Sequence, residues 1–269
     1  MKRREFLAGA CAAGAAGLVR AAGGAEAGAK QYLELRLCRV GSEDQKKRLC
    51  EFLAKAAVPA WGRAGVKPVG VFELIGPAPK PKGTEPAVMG PDDVWVLLPH
   101  PTAEAAATCR ARLLADEQYL RDGEPFLKLP KNDPLYRRIE SSLMLAFDSV
   151  PKVEVPSKAD GRIFQLRIYE AHSVERNQKK IEMFNAGGEV AIFRKNGLGP
   201  VFFGEALIGL RVPNLSYMVG FDSPDAQAAG WKKFSADPDW KRISKDPVYK
   251  DTVSNITNLV LRPLACSQI

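Results

Sequence analysis

Arg162–Ala171 reads RIFQLRIYEA and Tyr32–Val40 reads YLELRLCRV. Each stretch alternates apolar with polar residues, Leu33, Leu35 and Leu37 in one and Phe164, Leu166 and Ile168 in the other, which is the period of a strand with one face in a core. The shared Leu-Arg pair in two distant strands prompts a search for a repeat. After the first strand, Ser42 and Gln45 have the pattern of a capping box. Leu49, Phe52, Leu53 and Ala56 then follow at the spacing of one helix face. The counterpart helix starts at Ser173, carries Ile181 and Phe184, and is interrupted by Gly187-Gly188, where backbone entropy opposes helix.

The parallel continues along the chain. AGVKPVGVFELIG (Ala64–Gly76) and NGLGPVFFGEALIG (Asn196–Gly209) each place a Gly and a Pro ahead of an apolar strand, with Glu205 standing 132 positions after Glu73. VWVLLP (Val94–Pro99) and SYMVGF (Ser216–Phe221) match at an offset of 121, so the first copy holds 11 extra residues (132 − 121). These lie in the proline-rich PAPKPKGTEPAVMGP (Pro77–Pro91), read as an extended surface loop. Thr102 and Ser223 are helix N-caps, with Pro224 at the first helical position. Those helices end at Ala115-Asp116 and Ala236-Asp237, and apolar runs Leu143–Phe147 and Ile256–Leu261 close the two halves.

Strand, helix, strand, strand, helix, strand is the order of a ferredoxin-like βαββαβ unit. The fold class is therefore α+β, with a first repeat over residues 31–148, a linker over 149–161 (SVPKVEVPSKADG) and a second repeat over 162–269. A sheet with both helices on one face must bury its other face. The expected assembly is two sheets packed face to face, an intrachain α/β barrel pseudo-dimer.

Residues 1–27, MKRREFLAGACAAGAAGLVRAAGGAEA, have a basic start, a weakly apolar run and a small-residue cleavage site, and read as a signal peptide. Arg3-Arg4 followed by Glu5-Phe6-Leu7 resembles a twin-arginine signal, which implies export to the periplasm. A membrane anchor needs about 20 apolar residues and this run is too short, so no stable membrane insertion is expected after its removal. A lipoprotein attached through Cys11 would need a larger apolar residue than Ala8.

The 269-residue chain is 26% charged with a net charge of +8, falling to about +6 when Lys2, Arg3, Arg4, Arg20, Glu5 and Glu26 leave. This mild basic bias carries no nucleic-acid motif, and Gln45-Lys46-Lys47-Arg48 and Gln178-Lys179-Lys180 read as solvated helix faces. Five cysteines without a C-x-x-C pair and two histidines give no metal site; buried free thiols are expected.

Leu-Arg-Ile-Tyr in strand 1, Gly-x-x-Pro-Val-x-Phe before strand 2, Tyr217-Met218-Val219, and Ala236-Asp237-Pro238-Asp239-Trp240 together resemble the NIPSNAP family of the dimeric α/β-barrel superfamily. The resemblance covers nearly all of residues 31–269 and is sharpest in the second copy. It implies the fold more than a reaction: the wider superfamily includes haem-binding proteins and small monooxygenases, whereas NIPSNAP members are mostly described as binding or scaffolding proteins.

The candidate ligand-binding residues are His172, Glu189, Glu205, Tyr217 and Asn255, gathered in a pocket between sheet and helices of the second repeat. The first copy has Val96 where Tyr217 stands. Against this, His172 beside the cap Ser173 reads as a turn residue, and Glu205 and Glu73 read as facing solvent or as cross-strand partners of Arg167 and Arg36. No nucleotide-binding loop, zinc-protease or serine-hydrolase motif occurs, and no cofactor or catalytic residue is assigned. Two functions remain: binding of a small molecule in the second repeat, or a non-catalytic protein-interaction module. Self-association would use outer surfaces.

Overall fold

The computed structural model describes residues 29–76 and 89–269. Residues 1–27, expected to be a signal peptide, lie outside them, as does most of the proline-rich insert.

In each half, a strand leads into a capped helix. β1 (Tyr32–Arg39) is followed by α1 (Glu43–Phe52), which passes through a π-helical stretch (Leu53–Ala57) into α2 (Val58–Arg63). Pro59 cannot donate a backbone hydrogen bond, and the wider π turn stands where that donor is missing. The cap forms as the spacing implied, with one change: Ser42 accepts from the Gln45 amide at 3.2 Å, while the Gln45 side chain receives the Gly41 amide at 2.7 Å. β2 (Gly70–Leu74), β3 (Val94–His100), α3 (Ala103–Leu114), α4 (Glu117–Leu127) and β4 (Arg138–Ala146) complete this half.

The second half contains β5 (Ile163–Glu170), α5 (Val174–Phe184), α6 (Glu189–Lys195), β6 (Gly199–Ile208), β7 (Asn214–Phe221), α7 (Pro224–Ala236), α8 (Pro238–Ile243) and β8 (Asn255–Pro263). The break between α5 and α6 falls at the double glycine, where Gly188 adopts φ +86° and caps α6. That backbone region suits glycine because a Cβ would meet the following carbonyl. α4 and α8 extend each half beyond the expected helix ends. Asp116 and Asp237 do not simply close α3 and α7; their carboxylates cap the next helices, accepting from Tyr119 and Asp239 amides.

The strands form one closed barrel in the order β1-β3-β2-β8-β5-β7-β6-β4. Each half contributes four neighbouring strands in the same relative order. The expectation of two sheets stacked face to face needs correction here. Edges join as well as faces, through β2 with β8 (Glu73 opposite Arg262) and β4 with β6 (Leu145 opposite Glu205). Stacked open sheets would leave the backbone donors and acceptors of those four edges unpaired, and closure satisfies them.

Side-chain alternation then creates three cores. Leu33, Leu35, Phe72, Phe164, Leu166 and Met218 fill the lumen, where Phe72 and Phe164 meet edge-on at 5.1 Å across the two halves. Burying each such side chain is worth on the order of 1.5–3 kcal/mol. Between the first-half strands and their helices lie Cys38, Leu49, Trp61, Val96 and Cys109. Tyr169, Phe184, Phe193, Phe203 and Tyr217 occupy the corresponding layer of the second half. The four cysteines of the described residues are free thiols, and burial pushes Cys38 up to about 12 and Cys50 to about 11.

A contact from helix to acidic strand residue occurs at matched positions in both halves. Lys46 of α1 reaches Glu73 of β2 at 2.7 Å, and at the same spacing Gln178 of α5 donates to Glu205 of β6. Glu73 is thus shared between Lys46 and Arg262, which stands opposite it on β8, and Glu205 turns to a helix partner. Arg36 binds Glu34 at 2.6 Å and Arg167 binds Tyr217, so the expected cross-strand pairs do not form.

Candidate functional site

β5 and β7 run antiparallel with Arg167 opposite Tyr217, so both side chains face the second-half helices. Arg167 donates to the Tyr217 hydroxyl at 3.3 Å, and the Tyr169 and Tyr217 hydroxyls lie 3.1 Å apart. The Arg167 guanidinium also sits 5.3 Å from the Tyr169 ring and 5.2 Å from Trp231, cation–π distances. From the helix layer, Lys180 of α5 donates to Glu189 at 2.7 Å, with both side chains buried. The helix break makes this pair possible, because reversing the chain at Gly188 points the first residue of α6 back toward α5.

Burial raises the Glu189 carboxyl above its ordinary value, opposed by the charge and hydrogen bond of Lys180 and by the charge of Arg167. The Tyr217 hydroxyl is raised well above 10 by burial and by its tyrosine neighbour. Aromatic rings seal the network, with Phe203 stacked on Tyr217 at 4.8 Å and Phe184 lying 4.5 Å from the Lys180 ammonium. The arrangement is a packed polar core.

Of the five residues expected at a site, Glu189 and Tyr217 meet in this network. His172 lies exposed in the turn after β5 and makes no side-chain hydrogen bond among the described residues. Glu205 is held by Gln178. Asn255 donates to Glu170 at 3.0 Å, at one end of the barrel. Glu189 and Tyr217 thus share one setting, while His172, Glu205 and Asn255 each lie in another. Lys180, read in sequence as part of a solvated run, is buried: with Asn177 and Phe184 it shares the inward face of α5. That i, i+3, i+7 spacing was the available signal. Arg167 and Tyr169 were marked only by alternation along β5.

A cavity of about 790 Å³ opens instead at the barrel mouth formed by the β6–β7 hairpin and the beginning of β4. Pairing of β4 with β6 starts only at Leu143 and is irregular there. Arg138–Ser141 therefore stay unpaired with the hairpin and leave a gap. Gly209, at φ +148°, lets the hairpin close against Ser142, since a Cβ there would come within 2.3 Å of the Ser142 hydroxyl. The floor is apolar, with Leu35, Leu37, Trp95 and Ile168, and the rim is polar, with Arg39, Arg138, Glu140, Glu170 and Arg211. Most rim charges are paired. Arg39 binds Glu140 and Asp93 at 3.1 Å, and Arg211 binds Glu170 at 3.3 Å. Among the described residues no group of three or more His, Cys, Asp or Glu is placed to hold a metal ion.

Residues 164–268 match the NIPSNAP family. The NIPSNAP match thus spans β5 to β8 and contains the Lys180–Glu189 network. No curated protein matches the sequence. The whole barrel resembles the crystal structure of an anthrone oxidase-like protein, at 12% identity and TM-score 0.52, covering 88% of this chain and 93% of that one. It also resembles a monooxygenase candidate from Lactobacillus acidophilus (7%, TM-score 0.54, 87% and 94% covered). A third is a monooxygenase candidate from Fusobacterium nucleatum (9%, TM-score 0.52, 88% and 93%). At these identities the likeness shows a shared α+β barrel fold, not a shared reaction.

Proposed function

We propose that this protein binds a small molecule with an apolar body at the barrel mouth. The observation that carries the reading is the 790 Å³ cavity with an apolar floor beneath a polar rim; ligand sites are typically concavities of about 300–1,000 Å³ lined in this way. The expected location, a pocket within the second repeat, shifts accordingly. The second half supplies Ile168, Glu170, Arg211 and Ser216, but the first supplies Leu35, Leu37 and Trp95, so the site exists only when the barrel is closed.

The same strand order in both halves and the matched Lys46–Glu73 and Gln178–Glu205 contacts support descent of the two halves from one NIPSNAP-like unit. The leader sequence supports twin-arginine export to the periplasm, with binding there as the mature role.

The neutral apolar fluorophore N-phenyl-1-naphthylamine tests the site. It should bind saturably at one molecule per chain, and Ser142→Trp, which puts a bulky ring into the cavity opposite Leu35, should remove that binding while leaving the circular dichroism spectrum unchanged. Undiminished binding by a folded Ser142→Trp variant would overturn the reading.

A further inference from the structure

We propose that the barrel mouth selects an amphipathic monoanion, a single apolar chain ending in one acidic group such as a carboxylate, with its head on Arg138 and its chain running inward to Trp95. The inference rests on the mouth being a binding site and names the ligand class.

Arg39 is held bidentate by Glu140, at 3.1 and 3.3 Å, and by Asp93. Glu170 already accepts from both Arg211 and Asn255. Among the described lining residues, Arg138 is the cation without a carboxylate partner, and it is exposed. One charge is therefore left for a ligand to satisfy. A polyanion would bring surplus negative charge toward Glu140 and Glu170, and a cation would approach Arg138 with no unpaired carboxylate to receive it. A neutral amphiphile would leave Arg138 to water. Guanidinium binding to a carboxylate adds charge-assisted hydrogen bonds and favours the monoanion.

The lip of the cavity is apolar on two elements. Ile139 on β4 is 39% exposed, and on the β6–β7 hairpin Ile208, Leu210 and Val212 are 69%, 56% and 50% exposed. Single exposed apolar residues are ordinary, whereas a group on two adjoining elements beside a cavity marks a surface that something covers. Ile139 and Leu210 line the cavity itself. Apolar surface thus continues from the lip to Leu35, Leu37 and Ile168, beside Arg138. That path fits a chain lying between hairpin and β4 with its head outward.

Competition at pH 8 between bound N-phenyl-1-naphthylamine and three probes of equal chain length, dodecanoate, dodecanol and dodecyltrimethylammonium, decides the class. Dodecanoate should displace the fluorophore at a concentration at least tenfold lower than either of the others, and Arg138→Gln, at an exposed position, should erase that preference. If dodecanol competes as well as dodecanoate, or the preference survives in Arg138→Gln, the monoanion inference fails although the mouth remains a binding site. If the fluorophore does not bind, calorimetric titration with dodecanoate decides: absence of saturable heat overturns the inference together with the reading beneath it. Phosphatidylglycerol vesicles separate a free amphiphile from a lipid surface. Arg138-dependent sedimentation with them, without saturable dodecanoate binding, would overturn the single-molecule ligand.

Discussion

Replacing Glu34 by Gln should make the barrel acid-insensitive in one range of pH and weaker above it. Glu34 lies on the helix-facing side of β1, where it takes hydrogen bonds from Arg36 at 2.6 and 2.9 Å and from Ser141 at 2.6 Å, with His100 at 3.3 Å. Burial alone would raise its carboxyl, but the contacts with His100, Arg36 and Ser141 outweigh it and hold the group at about 2 instead of 4.5. At 1.36 kcal/mol per pKa unit, the folded state gains roughly 3 kcal/mol from the ionised form. Because the folded value is the lower one, this stabilisation is complete above about pH 4.5 and is lost as pH falls toward 2; by linkage about 1.4 kcal/mol remains at pH 3. Glu34→Gln also leaves the partly buried Arg36 without its counter-charge, so the loss at pH 6 should be about 3–5 kcal/mol. Urea unfolding followed by far-ultraviolet circular dichroism at pH 6 and pH 3 reads both quantities. A deficit below about 1 kcal/mol at pH 6, or one that does not shrink at pH 3, would refute the role assigned to Glu34.

The Lys180–Glu189 pair should behave as a unit: Glu189→Leu and Lys180→Met should each cost about 3–5 kcal/mol because each leaves a buried charge, while the double variant costs less than either; additive losses in a double-mutant cycle would contradict this. Changing Arg3 and Arg4 together to Lys should stop export of the protein; unchanged delivery of a tagged chain to the periplasm would remove the twin-arginine reading.

Much of the fold is local and could be read directly. Alternation marks the lumen residues Leu33, Leu35, Phe164 and Leu166, hydroxyl caps mark Ser42, Thr102, Ser173 and Ser223, and Gly187-Gly188 marks the helix break, because each depends on neighbours within a few residues. Asp116 and Asp237 show the limit of that reading: an aspartate after a helix serves equally as its end or as the cap of the next, and the choice depends on α4 and α8 packing back.

Long-range register decided the rest. Nothing near Glu73 or Leu145 announces that these strands pair with β8 and β6, since an edge's unpaired backbone groups are the same whatever strand completes them. The mouth cavity follows from that closure, because it exists where β4 and the hairpin fail to pair before Leu143. His172, Glu189, Glu205, Tyr217 and Asn255 were chosen as polar residues near the ends and middles of second-half elements. Sequence placed them on those elements, but side-chain direction at a turn or helix break is set by tertiary contacts. Gly188 turned Glu189 inward onto Lys180, the turn after β5 left His172 in water, and the barrel end drew Asn255 to Glu170. Sequence determined the strands, the helices that follow Ser42, Thr102, Ser173 and Ser223, and their order; tertiary structure decided that α4 and α8 form and which polar groups meet, because these depend on contacts between residues far apart in the chain.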